Sequence, residues 1–114
     1  MENCLFCKII KGEVPSEKVY EDEYVCCFKD VNPVAPIHIL AIPKKHIISL
    51  ANIESEDKDY IWKIHEAINK VAEKQNFKEN GYRIIVNCGK DAGQEVMHLH
   101  YHILAGTKLG SKIV

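Results

Sequence analysis

The sequence lacks an excess of charge of either sign, and this absence excludes several classes of partner. Its 15 lysines and arginines nearly balance 16 aspartates and glutamates, which gives a formal net charge of -1 at pH 7. Proteins that bind nucleic-acid polymers or acidic membrane surfaces use a basic excess. We therefore expect neither a nucleic-acid polymer nor a membrane as partner. A single nucleotide phosphate is still possible, since it needs only a local site.

The chain also lacks a long apolar run. Its N-terminus, residues 1–4, has neither the basic nor the apolar stretch of a secretion signal. No segment reaches the roughly 20 apolar residues that a membrane helix needs, so we expect a cytoplasmic protein. The five cysteines are an odd number in a chain without an export signal. This favours thiols or metal ligands over a disulfide framework.

Internal repeats and low-complexity linkers are absent as well, and the length of 114 residues predicts a single domain, residues 1–114. Hydrophobic periodicity and turn residues predict two helices and about five strands. The predicted elements are a short helical turn in residues 4–12, strands in 18–20, 24–29, 37–42, 82–87 and 97–104, and a long helix in 54–75 capped by Ser55. Because the strands are grouped, the pattern favours an α+β fold with an antiparallel sheet and helices to one side.

One stretch near the C-terminus, residues 97–104, alternates histidine with apolar residues. In a strand, His98, His100 and His102 would share one face at intervals of roughly 6.8 Å, and the apolar residues would share the other. A buried imidazole needs hydrogen-bond partners, so three of them indicate more than core filling. The alternative is a solvated strand face.

The histidine face is open to three kinds of chemistry. His98 and His102 would lie roughly 13–14 Å apart along a strand, so at most two of the histidines could share a metal ion. An imidazole nitrogen can also attack phosphorus near neutral pH, and His100 is the best-placed nucleophile. In the preceding loop, Gly93 allows exposed amides to cradle a phosphate.

A second constellation is the Cys4-x-x-Cys7 motif near the N-terminus. In a cytosolic chain this spacing is typical of a zinc half-site or a redox pair. Tetrahedral zinc needs two further ligands, for which His46 and His98 are candidates. A redox role is disfavoured because no βαβ pattern surrounds the motif. Simple packing cysteines are the remaining alternative.

The histidine stretch resembles the signature of the histidine-triad family, in which three histidines alternate with apolar residues after a Gly-Gln pair. The chain is also similar to the Hint branch of this family in several other segments. These are Asp30-Val31, Ala35-Pro36 followed by His38, Ile42-Pro43-Lys44-Lys45-His46, Gly81-Tyr82-Arg83, Asn87 and Gly93-Gln94. The similarity spans almost the whole chain. It implies a homodimer in which two five-stranded antiparallel sheets, each with a long helix and a short N-terminal helix, join into one.

The resemblance implies a purine nucleoside phosphoramidase. The middle histidine, here His100, would attack the α-phosphate of an adenylyl or guanylyl phosphoramidate, expel the amine and form a nucleotidyl-histidine that water hydrolyses. His102 would contact the phosphate, and His38 would support the triad from behind. The implied nucleotide site consists of Asp30 at the ribose, Asn87, Gly93, Gln94 and Glu95 around the phosphate, and Leu5, Phe6, Ile9, Phe28 and Val31 around the base.

Relatives with the Cys-x-x-Cys motif bind a structural zinc, which implies that Cys4, Cys7, His46 and His98 hold one here. Glu95 stands where many relatives have serine, and a carboxylate there would repel a phosphate. The C-terminal tail lacks an aromatic anchor, so no amine specificity is inferred. Two alternatives stay open: a dinucleoside polyphosphate hydrolase, and a zinc-stabilised nucleotide-binding module with little catalysis.

Overall fold

The computed structural model describes residues 3–114, and its centre is a five-stranded antiparallel sheet. In chain order the helices and strands are α1 (Leu5–Ile10), β1 (Lys18–Glu21), β2 (Val25–Lys29), β3 (Ile37–Pro43), α2 (Lys58–Lys74), β4 (Arg83–Ile85) and β5 (Tyr101–Ala105). The strand order is β1-β2-β3-β5-β4. The predicted α+β class, with one long helix and a short N-terminal helix, is therefore confirmed.

Both faces of the sheet are apolar, because neighbouring residues of β2 and β3 point to opposite sides. Cys27 and Ile39 lie in the larger core cluster beneath α2. Phe28 and Leu40 lie in a second cluster with Phe6 of α1. The prediction of both helices on one side is therefore wrong: β2 and β3 are buried on both faces, and α1 covers the face that α2 leaves open.

The long helix begins three residues later than Ser55, and Ser55 is not its cap. A single 3-10 turn, Ser55–Asp57, precedes α2. The carboxylate of Asp57 accepts from the backbone N–H of Glu54 at 3.0 Å and also from the ammonium of Lys45. This buried carboxylate therefore ties the start of the helix to the segment that carries His46. Among residues 3–114, no helix is long and apolar enough to cross a membrane.

The histidine strand is shorter than predicted, because β5 begins at Tyr101 and leaves His98 and His100 before the sheet ladder. The backbone groups of this segment form hydrogen bonds outside the sheet ladder. The N–H of Leu99 donates to the carbonyl of Ile47 at 2.7 Å, and the carbonyl of His98 accepts from the ring of His100. The alternation between faces continues nonetheless, since the apolar residues of the stretch lie in the cluster beneath α2. They are Leu99, Tyr101 and Ile103.

Candidate active site and metal cluster

The three histidines form a row of rings on the side of the sheet that α1 covers. The ring centroids of His100 and His102 are 5.1 Å apart, and the ring of Phe6 in α1 lies 5.1 Å from His100 and 5.9 Å from His98. His98 is fully buried, His100 is buried and His102 is half-buried. Exposure therefore increases along the row, from an enclosed ring to one that solvent reaches.

The tautomer of His100 is set by the backbone. Its Nδ1–H donates to the carbonyl of His98 at 2.7 Å. A neutral imidazole carries one proton, so Nε2 keeps a free lone pair. A nucleophilic imidazole requires this arrangement, in which one nitrogen is held by a hydrogen bond and the other is available for attack.

A chain of hydrogen bonds leads from the loop before β3 to His102. The backbone N–H of Val34 donates to Nδ1 of His38 at 3.1 Å, so the proton of this imidazole is on Nε2. That Nε2–H donates to Nδ1 of His102 at 2.9 Å. Burial, with smaller contributions from the neighbouring histidines, lowers the pKa of His102, so this ring is neutral near pH 7. Its own proton is therefore on Nε2, which becomes a hydrogen-bond donor.

Asp30 completes this group, with its carboxylate oxygen 3.4 Å from Nε2 of His38. The side chains of Asp30, His38 and His102 lie close enough together to hold a metal ion. However, the amide of Val34 occupies Nδ1 of His38, which leaves a protonated Nε2 where a metal would need a lone pair. Hydrogen bonding therefore explains this group better than metal ligation does.

The second group, Cys4, Cys7, His46 and His98, has the geometry of a tetrahedral metal site. A zinc ion with ordinary bond lengths would place two nitrogen ligands about 3.3 Å apart, and a nitrogen and a sulfur about 3.6 Å apart. The two Nδ1 atoms are 3.2 Å apart, and the nitrogen–sulfur distances are 3.3 Å from His98 to Cys4, 3.3 Å from His46 to Cys7 and 3.6 Å from His98 to Cys7. The cluster can therefore hold a metal ion without rearrangement.

The protonation states of the two imidazoles in this cluster also favour the binding of a cation. Nε2–H of His98 donates to the carbonyl of Pro43 at 2.8 Å, so the free lone pair is on Nδ1, among the other ligands. Burial lowers the pKa of His98 to about 4 and also lowers that of His46, so both rings are neutral. Burial raises the pKa of Cys7, and the adjacent Cys4 thiol raises it further. A bound cation would reverse this last effect by stabilising the thiolate.

Comparison with known proteins agrees with this geometry. A family profile described as scavenger mRNA decapping enzyme C-term binding matches residues 3–113. A histidine triad protein from Clostridium difficile is 55% identical, with a TM-score of 0.95 over 99% of this chain and 98% of that chain. A HIT family hydrolase from Clostridium thermocellum is 54% identical, with a TM-score of 0.97 over 100% of this chain and 99% of that chain. This chain belongs to the histidine-triad (HIT) family. A purine nucleoside phosphoramidase from Escherichia coli is 40% identical over 109 residues, which are 96% of this chain and 92% of that protein.

In this HIT protein, the loop before the triad is braced by Gln94, which is buried. Its side-chain oxygen accepts from the N–H of Gly89 at 2.9 Å, and its nitrogen donates to the carbonyls of Ile48 and Val96 at 2.8 and 3.1 Å. Gly93 has φ 85°, a left-handed conformation that suits glycine. Gln94 therefore fixes the backbone of the loop, and a phosphate contact from the Gln94 side chain stays a prediction.

The other predicted nucleotide residues differ in exposure. Phe6, Ile9 and Phe28 lie in the cluster beneath α1, whereas Leu5 and Val31 are exposed. Asn87 is half-buried and Glu95 is exposed. Glu95 lines a groove of about 570 Å³ beside the candidate metal ligands Cys4 and His46. The other residues that line this groove are Asn3, Leu5, Val96 and Met97.

The sequence analysis missed two backbone groups that define the site. The amide of Val34 sets the tautomer of His38, and the carbonyl of Pro43 sets that of His98. Neither residue type carries a chemical signal. The proline-containing loop in residues 30–36 and the Pro-Lys-Lys-His segment were the only indications of where such groups lie.

Proposed function

We propose that this protein hydrolyses the P–N bond of purine nucleoside 5′-phosphoramidates through a nucleotidyl intermediate on His100. The observation that carries the proposal is the free Nε2 of His100 next to a half-buried His102 whose Nε2 is a donor. It is supported by the 40% identical relative from Escherichia coli, a purine nucleoside phosphoramidase, and by the 54% identical solved structure, which is a HIT family hydrolase.

In the first step, the lone pair on Nε2 of His100 attacks the α-phosphorus and the P–N bond breaks. The ring becomes cationic, and the carbonyl of His98, which accepts from Nδ1–H, stabilises this charge. The departing amine takes its proton from solvent water. His102 is neutral and keeps its proton, and its Nε2–H donates to a phosphoryl oxygen on which negative charge develops.

In the second step, water attacks the phosphorus of the nucleotidyl-histidine. The bond from phosphorus to Nε2 of His100 breaks, the ring returns to its neutral form, and a nucleoside monophosphate leaves. The water loses its proton to solvent, which restores the proton taken up by the amine in the first step. The net reaction consumes one water and yields an amine and the monophosphate.

The nucleotide contacts belong to the same proposal. Asp30, half-buried beside His38, would accept hydrogen bonds from the ribose hydroxyls. The proposed phosphate contacts are Asn87, Gly93, Gln94 and the backbone of Glu95, whose exposed carboxylate would point away from the phosphate. The proposed base contacts are Leu5, Phe6, Ile9, Phe28 and Val31.

We propose zinc for the cluster of Cys4, Cys7, His46 and His98. Two thiolates and two imidazoles are a ligand set that zinc prefers, and four protein ligands close the coordination sphere. The metal is therefore structural, and the steps above do not use it. Metal analysis of protein purified without a metal-affinity tag is expected to find one zinc per chain. Free titration of Cys4 and Cys7 as thiols, without stoichiometric zinc, would contradict this assignment.

We also propose a cytoplasmic homodimer, in which the sheet continues across two copies. The side of α2 that carries Trp62, His65 and Asn69 faces two tyrosines: His65 contacts Tyr101 of β5 at 3.2 Å, and Asn69 accepts from Tyr82, just before β4, at 3.3 Å. Trp62 on this side is 60% exposed. Strand β4 is at the edge of the sheet, so its outer backbone groups are available to another strand.

The decisive experiment compares wild type with His100→Ala on adenosine 5′-phosphoramidate. Wild type is expected to release adenosine monophosphate, and the variant to lose about a thousandfold or more of kcat/KM, since it lacks the nucleophile. His65→Gln, which changes a histidine on α2, is the matched control and should retain turnover.

Mass spectrometry of acid-quenched wild type should locate an adenylyl group on His100. Comparable turnover by wild type and His100→Ala would contradict the proposal. Faster cleavage of diadenosine polyphosphates would favour the polyphosphate hydrolase, and binding of adenosine monophosphate without turnover of any phosphoramidate would favour a binding module.

A further inference from the structure

The Cys4/Cys7/His46/His98 cluster and the proposed nucleophile, His100, are connected in two ways. The first is through the backbone: His98 is a cluster residue, and its carbonyl accepts from Nδ1–H of His100 at 2.7 Å. The second is through α1, which begins directly after Cys4 and carries Phe6. The ring of Phe6 meets the ring of His100 edge-on, with centroids 5.1 Å apart and an interplanar angle of 86°.

We propose that Phe6 is a positioning residue for His100, and that a metal ion in the Cys4/Cys7/His46/His98 cluster holds Phe6 in place. The kinetic consequence rests on the proposed function, whereas the structural consequence does not. The metal then acts on the reaction only by fixing the orientation and the tautomer of the nucleophile, from outside the reacting atoms.

The position of α1 depends on its anchors. With six residues it is far too short to be stable as an isolated helix. At its start, the sulfur of Cys4 accepts from the N–H of Cys7 at 3.3 Å, so one cluster ligand also caps the helix. Its other anchors are Phe6 and Ile9 in the apolar cluster. Losing the metal would therefore free the N-terminal end of α1, where Phe6 lies between the two cysteines in the sequence.

The ring of His100 is buried, and its aromatic neighbours are Phe6 on one side and the half-buried His102 on the other. If the Phe6 ring moves away, the His100 ring can rotate, and its Nδ1–H can leave the carbonyl of His98. The proton would then redistribute to Nε2 in part of the molecules, which removes the lone pair needed for attack.

Positioning by Phe6 differs from contact with the base. Its ring is 5% exposed and packs against His98, His100 and Phe28. A residue that only contacts the base would change KM and leave the ligand-free histidine unaffected. A positioning residue would lower kcat and change the His100 tautomer before any nucleotide is bound.

The test uses long-range proton–nitrogen NMR of the ligand-free full chain, which distinguishes the two imidazole tautomers. Zinc-loaded wild type should show His100 as a single Nδ1–H tautomer. Three samples should show a mixture: chelator-stripped wild type, Phe6→Leu, and the double variant C4S/C7S. The matched controls change a phenylalanine and a cysteine beneath α2: Phe77→Leu and Cys27→Ala should both retain the single tautomer.

Kinetics form the second readout, on adenosine 5′-phosphoramidate. Phe6→Leu and the stripped wild type should lose about tenfold or more of kcat with KM changed less than twofold, as a small misplacement of a reacting group does. Readdition of zinc should restore the stripped wild type but not C4S/C7S.

Three results would overturn the proposal: a single His100 tautomer in both Phe6→Leu and the stripped protein, an equal tautomer change in Phe77→Leu, or no zinc bound at the cluster. Failure of wild type to cleave any phosphoramidate would instead reject the proposed function, and the NMR comparison would still test the coupling.

Discussion

Four histidines in this protein differ in role because different backbone groups fix their protons. The carbonyl of Pro43 places the proton of His98 on Nε2, and the carbonyl of His98 places that of His100 on Nδ1. The amide of Val34 places that of His38 on Nε2, and through it the proton of His102. In the proposed mechanism, the same side chain is thus a ligand, a nucleophile or a donor according to one hydrogen bond each.

Replacing His38 tests the hydrogen-bond chain at residue scale. In His38→Asn, His102 loses the donor to its Nδ1, so its tautomer is no longer fixed and Nε2 is not always protonated. We expect kcat on a phosphoramidate to fall about 100-fold, the lower end of the loss when one donor to a developing oxyanion is removed, with KM changed less than twofold. Steady-state kinetics measure this. A KM effect alone would mean that His38 serves binding only.

Acidification should disturb His102 in a direction set by its pKa. Burial, His100 and His38 lower that pKa below the ordinary value of 6.5, and Asp30 opposes them. The folded state therefore binds fewer protons than the unfolded state, and stability falls as pH drops from about 6.5 through the folded-state value. Thermal unfolding between pH 8 and pH 5 measures the loss. His102→Asn should have a flatter acid limb, and an unchanged limb would contradict the assignment.

At the scale of elements, β5 is the strand on which both the core and the site depend. It lies between β3 and β4, and its Ile103 is fully buried beneath α2 and pairs with Ile39 and Ile84. The neighbouring β4 is an edge strand of three residues, and its Ile85 is 36% exposed. The two isoleucines therefore allow a matched comparison of a central and an edge position.

Ile103→Ala should lower the free energy of unfolding by about 2–5 kcal/mol, through lost apolar burial and the cavity left behind. Ile85→Ala should cost clearly less than Ile103→Ala, since its side chain is 36% exposed within the chain and loses only the proposed contact with a second copy. Urea unfolding at one fixed protein concentration measures both. Equal losses would contradict the central position of β5 in the core.

Elements with a strong local signal could be predicted, and their ends could not. The apolar run 37–42 became β3, and the three- and four-residue spacing of Ile64, Ile68 and Val71 became the buried face of α2. The histidine strand was predicted to begin four residues too early, because the alternation of faces already holds at His98 and His100, before the ladder begins at Tyr101. Sequence periodicity indicates on which face of the sheet a side chain lies. Whether the residue pairs in the strand ladder depends on the position of backbone groups in neighbouring strands.

The part of the candidate site that side chains form could be predicted from the sequence. Spacing and residue type suggested that Cys4 and Cys7 meet His46 and His98, and the structure brings these four together. The tautomers could not be predicted, because they depend on the carbonyl of Pro43 and the amide of Val34, which any residue could supply. Family resemblance had assigned roles to the histidines, and only the hydrogen bonds explain those roles.

At the scale of the whole molecule, the exposed surface of one chain indicates how two copies would assemble. Two surface features bear on it: Trp62 of α2 is 60% exposed, and β4 is an edge strand whose outer side has no neighbouring strand in the sheet. Natural proteins usually protect such an edge by covering or charging it. Ile85 on β4 is instead apolar and partly exposed, which favours a second copy as the cover.

Charge introduced at this edge should therefore separate the copies. Wild type is expected to have the mass of two chains in sedimentation equilibrium at micromolar concentration, and Ile85→Glu and Trp62→Glu the mass of one, since each buries an unpaired carboxylate in the interface. Lys18→Glu places the same side chain on β1, at the opposite edge of the sheet, and should leave the mass of two chains unchanged. Circular dichroism should show that all three variants are folded. A single-chain mass for wild type, or a two-chain mass for both edge variants, would mean that the sheet does not continue across this edge.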